Sequence, residues 1–238
     1  MSSPTHGPGV HARVNRGLLA AAERRTLVWI AHRLPARVHS DHLSAVGLAG
    51  MALTGAAFAA VGTLAWAPLL VVTGLVVNWF GDSLDGTLAR VRNAERPRYG
   101  YYVDHALDIL GTAMVFGGMA VGGVMTPLVA ASLLAVYFAV MAEVFLATHV
   151  GGVFRMSFAG IGPTELRILL AVGALALPGD PRVTIAGVGS AALFDVGGVI
   201  GAIGLALTFL VSAVRMGRAL HREEGGARTA TVAGRRVA

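Results

Sequence analysis

Apolar residues run along this chain in stretches longer than a soluble core requires, interrupted at wide intervals by arginine, proline and short polar groups. Six such stretches can be marked, at about 44–63, 66–90, 101–123, 126–149, 163–178 and 191–216. A helix needs about 20 residues to cross a hydrocarbon core about 30 Å thick, so the pattern predicts six transmembrane helices. The fifth stretch is short and is broken by Pro178. The glycine-containing connections near 121–125 and 179–190 read as turns.

Ahead of the six, from Arg16 to Leu34, the apolar positions Leu18, Leu19, Ala22, Leu27, Trp29 and Ile30 are interleaved with Arg24, Arg25 and Arg33. This pattern suits a basic amphipathic helix lying on an anionic leaflet, with a plain solvent-facing helix as the alternative. Pro35 ends it, and Ser40 or Asp41 reads as the N-cap of the next helix. The expected organisation is all-α. It comprises a disordered N-terminus (1–15), a juxtamembrane amphipathic helix and linker (16–43), a six-helix transmembrane domain (44–220) and a disordered cytoplasmic tail (221–238).

Composition supports the membrane reading. The chain is 55% hydrophobic and 13% charged with 32 glycines, a balance that argues against a water-facing surface. There is no cysteine, which excludes disulfides and thiolate metal sites. Residues 1–15 contain no apolar core and no small-residue cleavage site, so no signal peptide is expected. All 19 basic residues counted are arginine, which fits a GC-rich genome.

Arginine placement orients the bundle. Arg13, Arg16, Arg24, Arg25, Arg33 and Arg37 precede the first span; Arg90, Arg92, Arg96 and Arg98 lie between the second and third; Arg155 lies between the fourth and fifth; Arg215, Arg218 and Arg222 follow the last. The opposite side offers Arg182, beside Asp180. By the positive-inside rule both termini and the 90–100 loop are cytoplasmic. A bacterial cytoplasmic membrane is the expected location.

Four acids stand out against this background. Asp82 and Asp85 lie near the cytoplasmic end of the second span, and Asp104 and Asp108 open the third from the same side. Ionisable groups in a membrane segment are costly and point to function. Residues three and four apart share a helix face, so antiparallel neighbours bring the two pairs together. Like charges in a partly dehydrated cleft repel unless cations neutralise them. An oxygen-only donor set favours a hard cation, Mg²⁺ or Mn²⁺, and such a site commonly serves a bound phosphate or diphosphate. Gly86 and Ala89 leave room beside the second span, Gly100 clears the third, and Arg90 is placed to meet a phosphate. Ordinary small-residue helix packing explains each glycine taken singly.

The full run is Asp82-x-x-Asp85-Gly86-x-x-Ala89-Arg90, nine residues, then Gly100-x-x-x-Asp104-x-x-x-Asp108. It resembles the signature of the CDP-alcohol phosphotransferases, also called the CDP-alcohol phosphatidyltransferase family, with every fixed position filled. The resemblance implies an integral membrane enzyme of phospholipid synthesis, a homodimer. It would transfer a phosphoalcohol from a CDP-linked donor to a hydroxyl acceptor, such as a lipid, and release CMP. It further implies that Asp82, Asp85, Asp104 and Asp108 hold Mg²⁺ or Mn²⁺ in a two-metal site. Asp108 would also be the general base on the acceptor hydroxyl, Gly86 and Ala89 would border the cytidine, and Arg90 would lie near the diphosphate. No nucleic-acid partner is implied.

His105, next to Asp104, resembles the choline and ethanolamine phosphotransferase branch, in which the soluble alcohol is carried on CDP and diacylglycerol accepts it. A histidine that caps the helix, or that supports a site acid without touching substrate, is the alternative. The Phe158–Arg167 segment, with Pro163, Thr164 and Glu165, is similar to the same branch, although helix capping alone explains Pro163 and Glu165. Arg155 and Arg167 are candidate phosphate contacts or positive-inside anchors. The second functional reading is a phosphatidyltransferase that takes CDP-diacylglycerol and a glycerol-phosphate or inositol-phosphate acceptor. A membrane prenyltransferase fits less well, because Asp82 and Asp85 are one residue too close for its acidic motifs and six spans are too few. A cation transporter predicts acids at the midplane and repeated halves, and neither is visible. Glu143 is expected to bond between helices and Asp195 to lie at a helix terminus. Gly197, Gly198, Gly201 and Gly204 form a small-residue face suited to close packing or a dimer contact.

Overall fold

A computed structural model describes residues 20–151, 163–185, 187 and 189–235. Seven α-helices account for most of them: α1 (Ala20–Arg33), α2 (Ser40–Ala59), α3 (Ala67–Val91), α4 (Pro97–Val121), α5 (Pro127–Gly151), α6 (Pro163–Ala176) and α7 (Leu193–Arg235). Helices α3 to α6 each carry a proline within their first two positions, where the missing N–H would be unpaired in any case. The α3–α4 turn is set by Asn93 at φ 51°, a left-handed conformation that asparagine tolerates, with the Ala94 N–H returning to the Ala89 carbonyl at 2.9 Å. Gly123, at φ 69°, ends α4 in the same way.

Helices α2 to α7 overlap the six apolar stretches, α1 lies within the 16–34 segment, and the described residues are predominantly helical. Among the described residues, four helices are long and apolar enough to cross a membrane: Ser40–Ala59, Ala67–Val91, Pro127–Val150 and Leu193–Glu224. Helix α4 is as long as α3, but Arg98, Asp104, His105 and Asp108 occupy its first half. Helix α6 has 14 residues, about 21 Å at 1.5 Å per residue, and the 3₁₀ turn Leu177–Gly179 carries the segment on from its end.

Two features differ from the sequence reading. The connection 179–190 is more than a turn. After a 3₁₀ turn (Leu177–Gly179), β1 (Arg182–Ile185) pairs antiparallel with β2 (Gly189–Ala192), so the described residues are all-α except for this hairpin. Gly187 and Gly189, at φ 79° and 108°, allow the reversal. Helix α7 also continues to Arg235, into the stretch expected to be an irregular tail.

The bundle is organised around α2, which packs on α3 and α4. Its contact with α3 is backbone on backbone. A Cβ on Gly81 would overlap Gly47 and the Leu43 carbonyl, and one on Gly50 would overlap Asn78. On the α4 side Gly55 meets Met114 and Gly118. This proximity, available only to glycine, draws α3 and α4 onto α2 and brings their acids to one end of the bundle. Helix α1 buries Leu27 and Ala31 against Leu84 and Leu88 of α3 and leaves Trp29 exposed beneath the Arg33 guanidinium. Arg92 secures the linker after α1, donating to the carbonyls of Leu34 (2.9 Å), Pro35 (3.0 Å) and Val38. Helix α5 lies against α7, joined by Ser212 Oγ donating to Glu143 Oε1 at 2.8 Å. Asp195 accepts from the Thr126 N–H and hydroxyl at 2.6 and 2.7 Å, tying the start of α7 to the start of α5. Both acids therefore serve helix association. Gly198 and Gly201 face Val129 and Leu133 within the chain, whereas Gly197 and Gly204 face open space.

Candidate active site

Asp82 and Asp85 project from one face of α3, and Asp104 and Asp108 from one face of α4. All four line a single cleft between α2, α3 and α4. The cleft is shallow, about 330 Å³ including the space open to solvent. Helix α2 contributes Ser44, Gly47, Leu48 and Met51 to it. Met51 lies against Gly111 of α4, where a Cβ would come within 2.9 Å of its Cγ.

Each α3 acid is held individually. Asp85 Oδ2 accepts the Ser44 hydroxyl at 2.6 Å, and Oδ1 accepts the Gly86 N–H at 2.5 Å. Asp82 Oδ2 accepts Arg167 Nη2 at 2.5 Å, while Arg167 Nε donates to Asn78 Oδ1 at 2.8 Å. Asn78 is fixed in turn, donating through Nδ2 to the Gly47 carbonyl at 3.1 Å. A relay thus runs from the α2 backbone through α3 to α6 and back to Asp82. Ser44 and Asn78 were not among the sequence candidates for the site. Asn78 left a signal, because 78, 82 and 85 form a polar stripe at i, i+4 and i+7 on an otherwise apolar helix. Ser44 left none, since nothing local distinguishes it from other serines at a helix start.

The other candidates among the described residues do not line the cleft. Gly86 and Ala89 continue along α3 without lining it, and Gly100 is exposed with open space around it. Arg90 folds back over Gly86 and donates to Thr87 Oγ1 at 3.2 Å. His105 is buried at the α4–α5 contact, its ring centroid 4.2 Å from Tyr101 and 5.3 Å from Phe145, and its Nδ1 is 2.7 Å from the Tyr101 carbonyl. Its position thus favours the structural alternative. Arg155 and residues 158–162 lie outside the described residues.

The donor chemistry fits a divalent cation: four carboxylates on one cleft, with oxygen atoms alone as ligands. In this arrangement, however, no three Asp, Glu or His groups among the described residues converge closely enough to hold an ion. Asp82 is engaged by Arg167 and Asp85 by Ser44 and Gly86.

Comparison with known protein families matches residues 41–211, well over half the chain, to the CDP-alcohol phosphatidyltransferase family. The chain belongs to that family. Its matched region begins at the start of α2 and ends within α7, enclosing the whole cleft. The family consists of transferases that move a phosphoalcohol from a CDP-alcohol, and it is generally divalent-metal dependent. No curated protein matches the chain.

Proposed function

We propose that this protein is a membrane enzyme of phospholipid synthesis that uses Asp82, Asp85, Asp104 and Asp108 to transfer a phosphoalcohol from a CDP-linked donor to a hydroxyl acceptor, releasing CMP. The observation that carries this reading is that all four carboxylates line one cleft, in a chain of the matching family.

Asp82, Asp85, Asp104 and Asp108 would hold Mg²⁺ or Mn²⁺, which when bound neutralises the diphosphate and stabilises the departing CMP. Asp108 would accept the proton of the acceptor hydroxyl. The acceptor oxygen then bonds to the phosphorus that carries the alcohol, the bond from that phosphorus to the CMP oxygen breaks, and CMP leaves with the electron pair. Ser44 and the Gly86 N–H keep Asp85 oriented towards the cleft, and Met51 and Leu107 give the cleft apolar walls. Gly86, Ala89 and Arg90 extend along α3 from the acids and would meet the cytidine and diphosphate of a donor too large for the cleft alone. The favoured donor is CDP linked to a small alcohol, with a diacylglycerol-like acceptor.

The proposal includes six spans with both termini in the cytoplasm, which puts the cleft on the cytoplasmic side and the β1–β2 hairpin on the other, and a homodimer in the membrane. Labelling of a cysteine at Arg182 in intact cells tests the orientation, since protection from a membrane-impermeant reagent would reverse it. The activity is tested by CMP release from purified protein with Mg²⁺ or Mn²⁺. CDP-choline, CDP-ethanolamine and CDP-diacylglycerol are offered in turn, each with a plausible acceptor. Release from CDP-choline or CDP-ethanolamine supports the favoured donor class, release from CDP-diacylglycerol alone reassigns the donor, and no release from any of them removes the proposal.

A further inference from the structure

Arg167 approaches the cleft from α6 and reaches the α3 acids through a bracket of fixed parts. Its Nε is placed by Asn78 Oδ1 at 2.8 Å, and its Nη2 meets Asp82 Oδ2 at 2.5 Å. Asn78 is itself held on the Gly47 carbonyl, at the point where α2 and α3 touch. The ion pair is largely withdrawn from solvent, with 17% of the Arg167 side chain and 22% of the Asp82 side chain exposed. This geometry differs from that of a rim anchor or of a guanidinium waiting for a phosphate, because the fork is already committed to two oxygens of the same helix.

That commitment conflicts with a cation site at Asp82. A carboxylate oxygen paired with a guanidinium has its charge cancelled, and a second cation brought to it is repelled. Without a cation, however, four carboxylates on one partly dehydrated cleft repel one another, and a positive charge at Asp82 relieves this. Asp85 is held differently, by the neutral donors Ser44 and Gly86, which orient the acid and leave its charge available.

Resting on the cation-site reading above, we infer that Arg167 is a displaceable counter-ion. It occupies Asp82 while the cleft holds no divalent cation and leaves that oxygen when one binds. Cation binding then works against the Arg167–Asp82 pair, so the apparent affinity is lower than the carboxylates alone would give.

The test uses full-length protein in detergent micelles. Mn²⁺ binding is followed by the electron paramagnetic resonance of free Mn²⁺, and thermal unfolding is measured with and without the ion. Arg167→Lys retains the charge but cannot fork between Asn78 and Asp82. It should bind Mn²⁺ about tenfold more tightly than wild type and melt at lower temperature without the cation, the two proteins converging at saturating Mn²⁺. Asn78→Ser, which loosens the bracket without altering a charge, should shift binding in the same direction and serves if Arg167→Lys does not fold. Unchanged Mn²⁺ affinity in these variants overturns the inference, as does a melting deficit of Arg167→Lys that persists at saturation. Wild-type protein that binds no Mn²⁺, or Asp104→Asn that binds it as wild type does, overturns the cation-site reading itself and the inference with it.

Discussion

The Ser44 hydroxyl, near the start of α2, donates to Asp85 on α3 at 2.6 Å across 41 residues of sequence. The bond orients a carboxylate in the family signature from outside the signature. Ser44→Ala removes one of the two hydrogen bonds that orient Asp85, and outer partners of this kind are worth about 10–100-fold in metal affinity or activity. CMP release should fall within that range while the melting temperature shifts little. An unaltered rate would show that Asp85 needs no external orientation. The effect is opposite to that expected of Arg167, because Ser44 directs a charge and Arg167 cancels one.

Asp108→Asn preserves size and polarity but cannot accept the acceptor's proton. Loss of a positioned general base lowers rates by about 10²–10⁴-fold. CMP release at saturating donor should drop by at least the lower figure, with donor binding largely kept. Turnover close to wild type would remove Asp108 from the base role.

The α2–α3 contact sets how closely the two acidic pairs approach. Gly81→Ala places a methyl group against the Gly47 backbone and the Leu43 carbonyl, neither of which can move aside as a flexible side chain would. Overpacking of this kind costs about 1–3 kcal/mol, which should appear as a lower melting temperature in micelles together with lower activity. Gly204→Ala, on the open face of α7, should be neutral or stabilising by up to about 1 kcal/mol. Equal effects at the two positions would contradict the packing described.

Glu143 is 8% exposed and accepts the Ser212 hydroxyl, joining α5 to α7 away from the cleft. Ser212→Ala should lower stability by about 1–3 kcal/mol, the penalty for a buried polar group that loses its partner. CMP release per folded molecule should stay at the wild-type level. A selective loss of activity would instead connect Glu143 to substrate.

Much of this was legible in the chain, and the reason is local. Helical spacing alone put Asp82 with Asp85 and Asp104 with Asp108, because three or four residues make one turn. Gly123 lies in the connection near 121–125 that reads as a turn, and its own backbone freedom makes the reversal. The sequence left His105 open between a mark of the choline and ethanolamine branch and a capping histidine; the structure places it at the α4–α5 contact rather than in the cleft. The β1–β2 hairpin was less visible, since segments of four residues carry too little pattern to separate a strand from a turn.

The sequence by itself determined the helices, the family and the four acids, since each depends on residues within a few turns of one another. Only the tertiary structure decided what holds the acids. Ser44 lies 41 residues from Asp85, and Arg167 lies 85 residues from Asp82 and 89 from Asn78. No periodicity connects such positions. They meet because Gly47, Gly50, Gly74 and Gly81 let α2 and α3 touch backbone to backbone, and because α6 packs across α3 at the level of Asn78 and Asp82. A guanidinium that could have served as an anchor or a phosphate contact was thereby turned onto a carboxylate of the signature.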